Sequence, residues 1–400
     1  MRELHSIWDW RTAAARRLPG FLFDYVEGGA GAETAIRRNR LAFEDWAITP
    51  RAMRDVSHRT TGVRLFGEEL SMPVLVAPTG LNGILRPRGD EQLARAAVAA
   101  GTRFILSTAA NATIEEVVRA STKPPWFQLY IVERELALQH IARAKAAECP
   151  VLMLTVDVPV GGRRLRDLKS GLSFPLKFTP RIVADSISRP IWAAQQLRAR
   201  GWSAAMPLTG DDSADAGRKQ RLLSRKFDSS LVWDDVARIR DIWKGPLVLK
   251  GILDVQDAET AAGVGVDGIV VSNHGGRQLD AAPASLSVLP EIASAVRGKA
   301  RVLLDSGVRC GDDVIRALAL GADAVLVGRP MLYGLAARGE RGARAVLELF
   351  RSELSTSMAL AGFSDPAEIS HRCLVANGGR GASIEAASGR PDHKPEGSCR

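Results

Sequence analysis

From residue 72 onward, hydrophobic and polar positions are arranged in repeating blocks. Eight short apolar runs occur: PVLVAP (73–78), RFILST (103–108), WFQLY (126–130), VLMLTVD (151–157), PLVLK (246–250), GIVVSN (268–273), RVLLDS (301–306) and AVLVG (324–328). Helix-like amphipathic segments lie between them. The runs are continuous rather than alternating, as expected of parallel strands covered on both faces. Thr113 with Glu116 reads as a capping box, and Asp90 as the N-cap of the segment EQLARAAVAAG. Gly101 and Gly321 fit the position just past a helix end. Eight βα units over roughly 280 residues predict an α/β fold, a (β/α)8 TIM barrel. A doubly wound open sheet is the alternative; it does not require eight units, and no GxGxxG follows the first run.

Three regions lie outside the repeat. Residues 1–71 form an N-terminal cap, expected to be helical, that carries FDYVEGG (23–29). Residues 158–232 separate the fourth run from its helix, and so long an insertion is expected to be functional or disordered. The Gly-, Ser- and charge-rich stretch 377–400 reads as a flexible tail, leaving one domain over 1–376. Of the 400 residues 46% are hydrophobic, which excludes a disordered chain. The four cysteines form no CxxC pair, so no disulfide framework and no metal site are expected, and the compartment reads as reducing. Residues 1–20 contain no apolar core of a signal peptide, and no run reaches the ~18 residues of a spanning helix. Export and membrane spanning are therefore not expected. Attachment to a membrane surface is not excluded.

In such a barrel, chemistry gathers where strands end. Polar residues follow every run: Thr79, Ser107, Gln128 with Tyr130, Thr155 with Asp157, Lys250, Ser272 with His274, Asp305 with Gly307 and Arg309, and Gly328 with Arg329. Any one of these could simply start a loop; all eight together point to a site. The last two exits suit a phosphate, with Gly307, Gly311 and Gly328 letting backbone approach closely and Arg309 and Arg329 supplying charge. Two ordinary tight turns with surface arginines are the plainer reading. In SNHGGRQLD (272–280), His274 leaves a buried strand before two glycines, with Arg277 three residues on. Such a turn can aim an imidazole and a guanidinium at one small anion. Asp157 could hold the second imidazole nitrogen, and Arg164 adds another guanidinium. Tyr130 and Tyr25, two of only three tyrosines, are either site residues or ordinary rim residues.

Taken together, FDYVEGG, APTGLNG, LSTAAN, WFQLY, TVDVP-x3-RR, LVLKG, SNHGGRQLD, DSGVR and VGRP resemble the FMN-dependent 2-hydroxy acid dehydrogenases and oxidases over about residues 1–375. APTGLNG, LSTAAN and LYGLAARGE resemble the mandelate-oxidising branch most. The resemblance implies an FMN cofactor. Its phosphate would meet Gly307, Arg309, Gly328 and Arg329. Asp305 and Lys250 would meet its ribityl chain. Ala77, Pro78, Thr79, Ser107, Gln128, Thr155 and Ser272 would complete the flavin site. Lys250 would also stabilise charge at the flavin's N1/O2 edge. Arg164, Arg277 and Tyr25 would hold a substrate carboxylate, Tyr130 the substrate hydroxyl, and His274, backed by Asp157, would take the proton. The implied reaction oxidises an (S)-2-hydroxy acid, mandelate first and lactate as the alternative. A homotetramer is implied as well. Cys310, where relatives often carry a basic residue, reads as a packing residue.

Gly80 resembles dehydrogenase members, where oxidases tend to carry Ala. Residues 165–226 hold twelve Lys/Arg against five Asp/Glu, so most of the chain's net +9 sits in one sixth of its length. Phe174, Leu176, Phe178, Ile191, Trp192, Leu197, Trp202 and Met206 are interleaved with them. Basic residues among Trp and aliphatics suit an anionic membrane interface; a solvated lid is the plainer reading. The segment is similar to the membrane-attaching one of the mandelate-oxidising branch. That implies peripheral attachment at the cytoplasmic face of the cell membrane and a membrane quinone as electron acceptor, or a cytoplasmic enzyme if the segment is only a lid. A nucleic-acid or phospholipid-binding barrel without catalysis would leave His274, Arg277, Arg164 and Lys250 unexplained, so no nucleic-acid partner is expected. A nucleotide-metabolising barrel would need a catalytic Cys loop after the sixth run, where His-Gly-Gly-Arg stands instead.

Overall fold

The computed structural model describes residues 3–173, 179–199 and 227–377. The expected tail beyond 377 therefore lies outside the described residues. So do Phe174, Leu176, Phe178, Trp202 and Met206 of the basic insertion.

All eight apolar runs are strands of one parallel sheet: β4 (Val74–Val76), β5 (Ile105–Ser107), β6 (Trp126–Leu129), β7 (Leu152–Thr155), β8 (Leu247–Ile252), β9 (Gly268–Val271), β10 (Arg301–Leu304) and β11 (Ala324–Val327). Neighbours pair in sequence order, and β11 returns to β4, with Val325 opposite Val74. A parallel bridge from Val76 to Phe104, beside the start of β5, brings the ends of the sheet together. The result is a (β/α)8 barrel. Its strands are apolar throughout because alternate residues face two hydrophobic layers. Leu75, Ile105, Trp126, Met153, Val248, Val270 and Leu303 fill the barrel interior. Val74, Leu106, Phe127, Leu154, Leu249 and Leu304 face the surrounding helices.

The cap begins with three helices: α1 (Ile7–Arg17), α2 (Gly20–Glu27) and α3 (Thr34–Glu44). A reciprocal Ser6/Asp9 capping box starts α1, which buries Ile7, Trp10 and Ala14. The rest of the cap is not helical. Strand β1 (Trp46–Ile48) pairs antiparallel with the last strand, β12 (Leu374–Ala376). Strands β2 (Val63–Leu65) and β3 (Glu68–Leu70) form a hairpin. Its two turn residues, Phe66 and Gly67, both have φ > 0 (48° and 82°), as a twist-compatible two-residue turn demands. Leu65 and Leu70 then plug the barrel floor, and Phe66 meets Trp126 edge-on at 5.6 Å.

The Thr113/Glu116 capping box is present at the helix Ile114–Ala120, and Gly101 and Gly321 both have φ > 0 just past helix ends. Asp90 is not an N-cap. The helix Gly89–Ala99 starts after Arg88, and Asp90 is fully buried in its first turn. There its carboxylate accepts from Asn82 Nδ2 (2.7 Å) and from the backbone N–H of Asn111 (2.8 Å) and Ala112 (3.2 Å). It thus ties the loops after β4 and β5 together.

The described part of the insertion forms helices Leu165–Ser170, Pro180–Ile187 and Pro190–Arg198. Asp185 accepts from the N–H of Gly20 and Phe21, capping α2. Trp192, expected among the membrane-facing residues, is instead buried. It meets Phe21 edge-on, and its Nε1 donates to Ile84 O (3.0 Å). A large aromatic with one polar edge contributes more in a core with a carbonyl to satisfy it than at a surface. Ile191 and Leu197 are exposed, as expected, together with Leu168, Val183 and Ile187. Among the described residues no helix is long and apolar enough to cross a membrane.

Candidate active site

A cavity of about 190 Å³ opens at the C-terminal ends of the barrel strands. Fourteen of the expected site residues line it: Tyr25, Ala77, Pro78, Thr79, Tyr130, Arg164, Lys250, His274, Arg277, Asp305, Gly307, Arg309, Gly328 and Arg329. The remaining four polar positions of the flavin set lie just behind this wall. Ser107 Oγ donates to Gln128 Oε1 (2.8 Å), and Gln128 Nε2 to Thr155 Oγ1 (2.9 Å), forming a buried polar row across β5, β6 and β7. Ser272 Oγ accepts from Lys250 Nζ (2.9 Å) and from the N–H of His274 (3.0 Å). Asp157 stands behind His274.

The titrating centre is a line of three groups. His274 Nδ1 lies 3.1 and 3.2 Å from the two Asp157 carboxylate oxygens, and its Nε2 lies 3.2 Å from Tyr130 Oη. Burial pushes the His274 pKa below its usual value, helped by Lys250 and Arg164 and opposed by Asp157. The shift favours the uncharged imidazole, the form that can accept a proton. Burial works to raise Asp157, yet His274 and Lys250 together hold it below the ordinary carboxylate range. Burial and the Asp157 charge raise the Tyr130 phenol, so it stays a hydrogen-bond donor.

Lys250 is buried on β8. Burial disfavours its charge, but Asp305, whose Oδ2 is 2.9 Å from Nζ, and Asp157 overcome this and raise its pKa. A buried ammonium is tolerated only when paired in this way. Arg277 Nη1 donates to the carbonyls of Tyr25 (2.8 Å) and Gly28 (2.7 Å), and the guanidinium lies 5.0 Å from the Tyr25 ring centroid. Arg277 and Tyr25 therefore reach the cavity as one stacked unit. Arg164 enters from the insertion as the N-cap residue of its first helix.

At the phosphate end the expectations divide. Arg309 is half-buried, and its Nε is shut off from solvent with no hydrogen-bond partner. A Cβ on Gly328 would meet only Thr79 Cγ2 (3.7 Å) and Ala77 Cβ (3.8 Å), so backbone and cavity are in open contact there. Gly328 also caps the helix Arg329–Arg338 without any side chain covering its N-terminus. Gly311 serves a different purpose. A Cβ there would strike Leu354 N at 2.3 Å, and its N–H donates to Glu353 Oε2 (2.9 Å), so this glycine admits the C-terminal helix Glu340–Ala361 rather than an anion. Arg329 holds the carbonyls of Val26, Gly275 and Gly28, and burial beside Arg277 lowers its pKa to about 10. The orphaned Arg309 Nε, the open N-terminus at Gly328 and the Lys250–Asp305 pair are donors that would suit a flavin mononucleotide.

Sequence reasoning did not single out several supporting residues. Gln278 bridges the loop after β7 to the His274 loop, donating to the carbonyls of Asp157 and Val160 and accepting from Gly162 N–H. Asp280 accepts from the N–H of Ala32 and Ala35 at the start of α3. Arg40 on α3 reaches Gly307 O and Asp313. Phe227, which follows the insertion, packs on Tyr130 at 5.1 Å between centroids and lines the cavity. Gln278 and Asp280 sit in the quoted motif, but only the fold reveals their partners. Cys310 is the N-cap residue of the helix Gly311–Ala319, and burial pushes its thiol up to about 12, so it packs rather than reacts.

Residues 14–376 match the family model for FMN-dependent dehydrogenase. The chain is 45% identical over 378 residues to the L-lactate dehydrogenase of Pseudomonas aeruginosa strain UCBPP-PA14, covering 92% of this chain and 97% of that protein. It superposes with a TM-score of 0.89 on the crystal structure of the monotopic membrane protein (S)-mandelate dehydrogenase, at 40% identity and over 94% of this chain and 100% of that one. A mandelate oxidase structure superposes with a TM-score of 0.79 at 37% identity, covering 93% and 98%. Fold, cavity chemistry and coverage agree, and the chain belongs to the FMN-dependent dehydrogenase family.

Proposed function

We propose that the protein oxidises an (S)-2-hydroxy acid to the 2-oxo acid, with mandelate or a similar aryl acid the first choice and L-lactate the alternative. The observation carrying this reading is His274, held between Asp157 and Tyr130 and facing the same cavity as two guanidiniums and the buried Lys250–Asp305 pair. The names borne by relatives, L-lactate dehydrogenase and (S)-mandelate dehydrogenase, support the substrate class.

In this reading FMN, when bound, would accept the two electrons and one of the two protons released as the CH–OH group becomes C=O. Arg309 and Gly328, with Gly307 and Arg329, hold its phosphate. Ala77 to Thr79, Ser107, Gln128, Thr155 and Ser272 support its ring, and Asp305 its ribityl chain. Arg164, Arg277 and Tyr25 bind the substrate carboxylate, which fixes the α-carbon. Tyr130 donates to the substrate hydroxyl. His274 Nε2 takes up one proton, and Asp157 at Nδ1 stabilises the resulting imidazolium. Lys250 places a fixed positive charge beside the electron acceptor.

A dehydrogenase is favoured over an oxidase at Gly80. A Cβ there would press on Ala109 Cβ at 2.8 Å and its carbonyl at 3.0 Å, so the loop after β4 is built around glycine. The electron acceptor is then a membrane quinone, and the exposed Val183, Ile187, Ile191 and Leu197, with the exposed Arg181 and Arg198 of the same segment, rest on an anionic membrane at its cytoplasmic face. A structural neighbour, (S)-mandelate dehydrogenase, is described as a monotopic membrane protein, which supports this reading. A homotetramer completes the proposal.

The test is anaerobic absorbance of the purified protein with (S)-mandelate and, separately, L-lactate. Fast bleaching of the flavin by mandelate is expected. Bleaching only by lactate would keep the chemistry and change the substrate; bleaching by neither would overturn the reading. Flotation with anionic vesicles at low and high salt tests the membrane arm, with salt-sensitive binding expected.

A further inference from the structure

The loop bearing His274 has an unusual backbone. His274, Gly275 and Gly276 have φ of 58°, 66° and 74°, three successive left-handed residues. A non-glycine residue stays in this region only where its surroundings over-determine it. Three backbone donors are caught by side chains: His274 N by Ser272 Oγ (3.0 Å), Gly275 N by Ser306 Oγ (2.9 Å) and Gly276 N by Asn273 Oδ1 (3.0 Å).

The Asn273 amide is held in turn by the cap. Asn39 on α3 donates through Nδ2 to Asn273 Oδ1 (2.8 Å) and accepts from Asn273 Nδ2 at its own Oδ1 (2.7 Å). Asn273 Nδ2 also donates to Pro283 O (2.9 Å). Both donors and both acceptor sites of Asn273 are thus used, and the two amides are 2% and 3% exposed. The loop also presses on α3, where a Cβ on Gly276 would meet Ile36 N at 2.8 Å.

We propose that Asn39 is a positioning residue for the reaction: through Asn273 it holds the left-handed loop that aims His274 at the substrate. This rests on the dehydrogenase reading above. Among the described residues the Asn39 side chain bonds only to Asn273; its backbone carbonyl packs against Gly307, a contact that substitution of the side chain leaves in place. The side chain acts through the orientation of the Asn273 amide, which together with the Asn273 carbonyl fixes Gly276 and so the path of the chain from His274 to Arg277. Arg277 has independent anchors at Tyr25 and Gly28. Loss of Asn39 should therefore move kcat more than KM. The groups facing His274 are Asp157 after β7, Tyr130 after β6, Lys250 on β8 and Arg164 of the insertion. A loop that drifts from them admits water to the imidazole and carries the acid limb of the pH profile upward.

The test uses the FMN-loaded full chain as wild type, Asn39→Asp and Asn39→Ser, with anaerobic flavin reduction followed from pH 5 to 8. Asn39→Asp sets two acceptors face to face at Asn273; Asn39→Ser keeps a small polar group. We expect wild type to be reduced, Asn39→Asp to retain flavin with its rate lowered about 10- to 100-fold, as misplacement of a catalytic group does, KM changed less than threefold, and the acid limb shifted upward. Asn39→Ser should be intermediate. A reduced wild type alongside variants of unchanged rate and limb overturns the proposal alone. So does failure of both variants to fold with flavin, which would make the amide pair a folding element. A wild type that no hydroxy acid reduces overturns the underlying reading instead.

Discussion

Asp157→Asn isolates charge from shape at the His274 dyad. The amide keeps the carboxylate's outline, and its Oδ1 can still accept from His274 Nδ1. The negative charge that would face a protonated imidazole is lost. His274 Nδ1 is 3.1 and 3.2 Å from the two oxygens, one shared charge-assisted contact rather than two. Such a contact contributes about 1.5–3 kcal/mol, equivalent to roughly 10- to 150-fold in rate at 1.36 kcal/mol per decade. The pH dependence carries a sign. The base works uncharged, so activity is present above the His274 pKa and lost as pH falls through it. Asp157 holds that pKa up against burial. Removing its charge lowers the pKa further, so the acid limb of kcat/KM should move to lower pH while the plateau falls. Stopped-flow reduction of the flavin between pH 4.5 and 8 reads both. A plateau within threefold of wild type, or a limb that moves upward, would refute the charge argument.

Other expectations follow from the same contacts. His274→Ala should lower turnover by about 10²- to 10⁴-fold, the usual contribution of a positioned base, with FMN content by absorbance unchanged; near-normal turnover would remove the base assignment. Arg277→Lys should raise KM for the hydroxy acid at least about tenfold, because an ammonium cannot make the bidentate carboxylate contact or stack on Tyr25; an unchanged KM would sink it. Burial raises the Asp90 pKa to about 6. Its favourable contribution is therefore fully present below the unfolded pKa and is lost as pH rises through about 6. Measured against Asp90→Asn by denaturant unfolding, wild type should lose about 1 kcal/mol between pH 5 and 7.5; a flat difference would contradict the raised pKa.

What the sequence made legible follows from what is local. The eight strands announce themselves because both faces are buried, so each run is apolar without interruption. The Thr113/Glu116 box is a four-residue pattern and survives folding intact. The cavity residues were legible because a barrel places every strand exit on one rim. Contacts between distant segments were not. Asn39, Arg40 and Asp280 acquire meaning only when α3 lies across the loops after β9 and β10. Gly311 resembles a phosphate-loop glycine until Glu353 and Leu354 are seen against it. Trp192 counts as an interfacial aromatic by composition, but which side of a helix faces the protein is decided by Phe21 and the Ile84 carbonyl. The hairpin at 63–70 is too short for its alternation to stand out, although Phe-Gly between two apolar-polar stretches was its trace.

The pairing of β1 with β12 sets Trp46 opposite Ala376, and β4 takes its ladder partner from β11. Neither ring of contacts can close until the strands Ala324–Val327 and Leu374–Ala376 have left the ribosome. At 5–20 residues per second that takes roughly 20–80 s. Throughout that interval the apolar faces of the cap helices, with Trp10, Phe21 and Leu22, have no barrel to cover them. A protein wired end to end in this way keeps apolar surface uncovered during synthesis longer than a modular one of equal length, and its cavity, lined by residues from Tyr25 to Leu332, can be complete only after both halves are present.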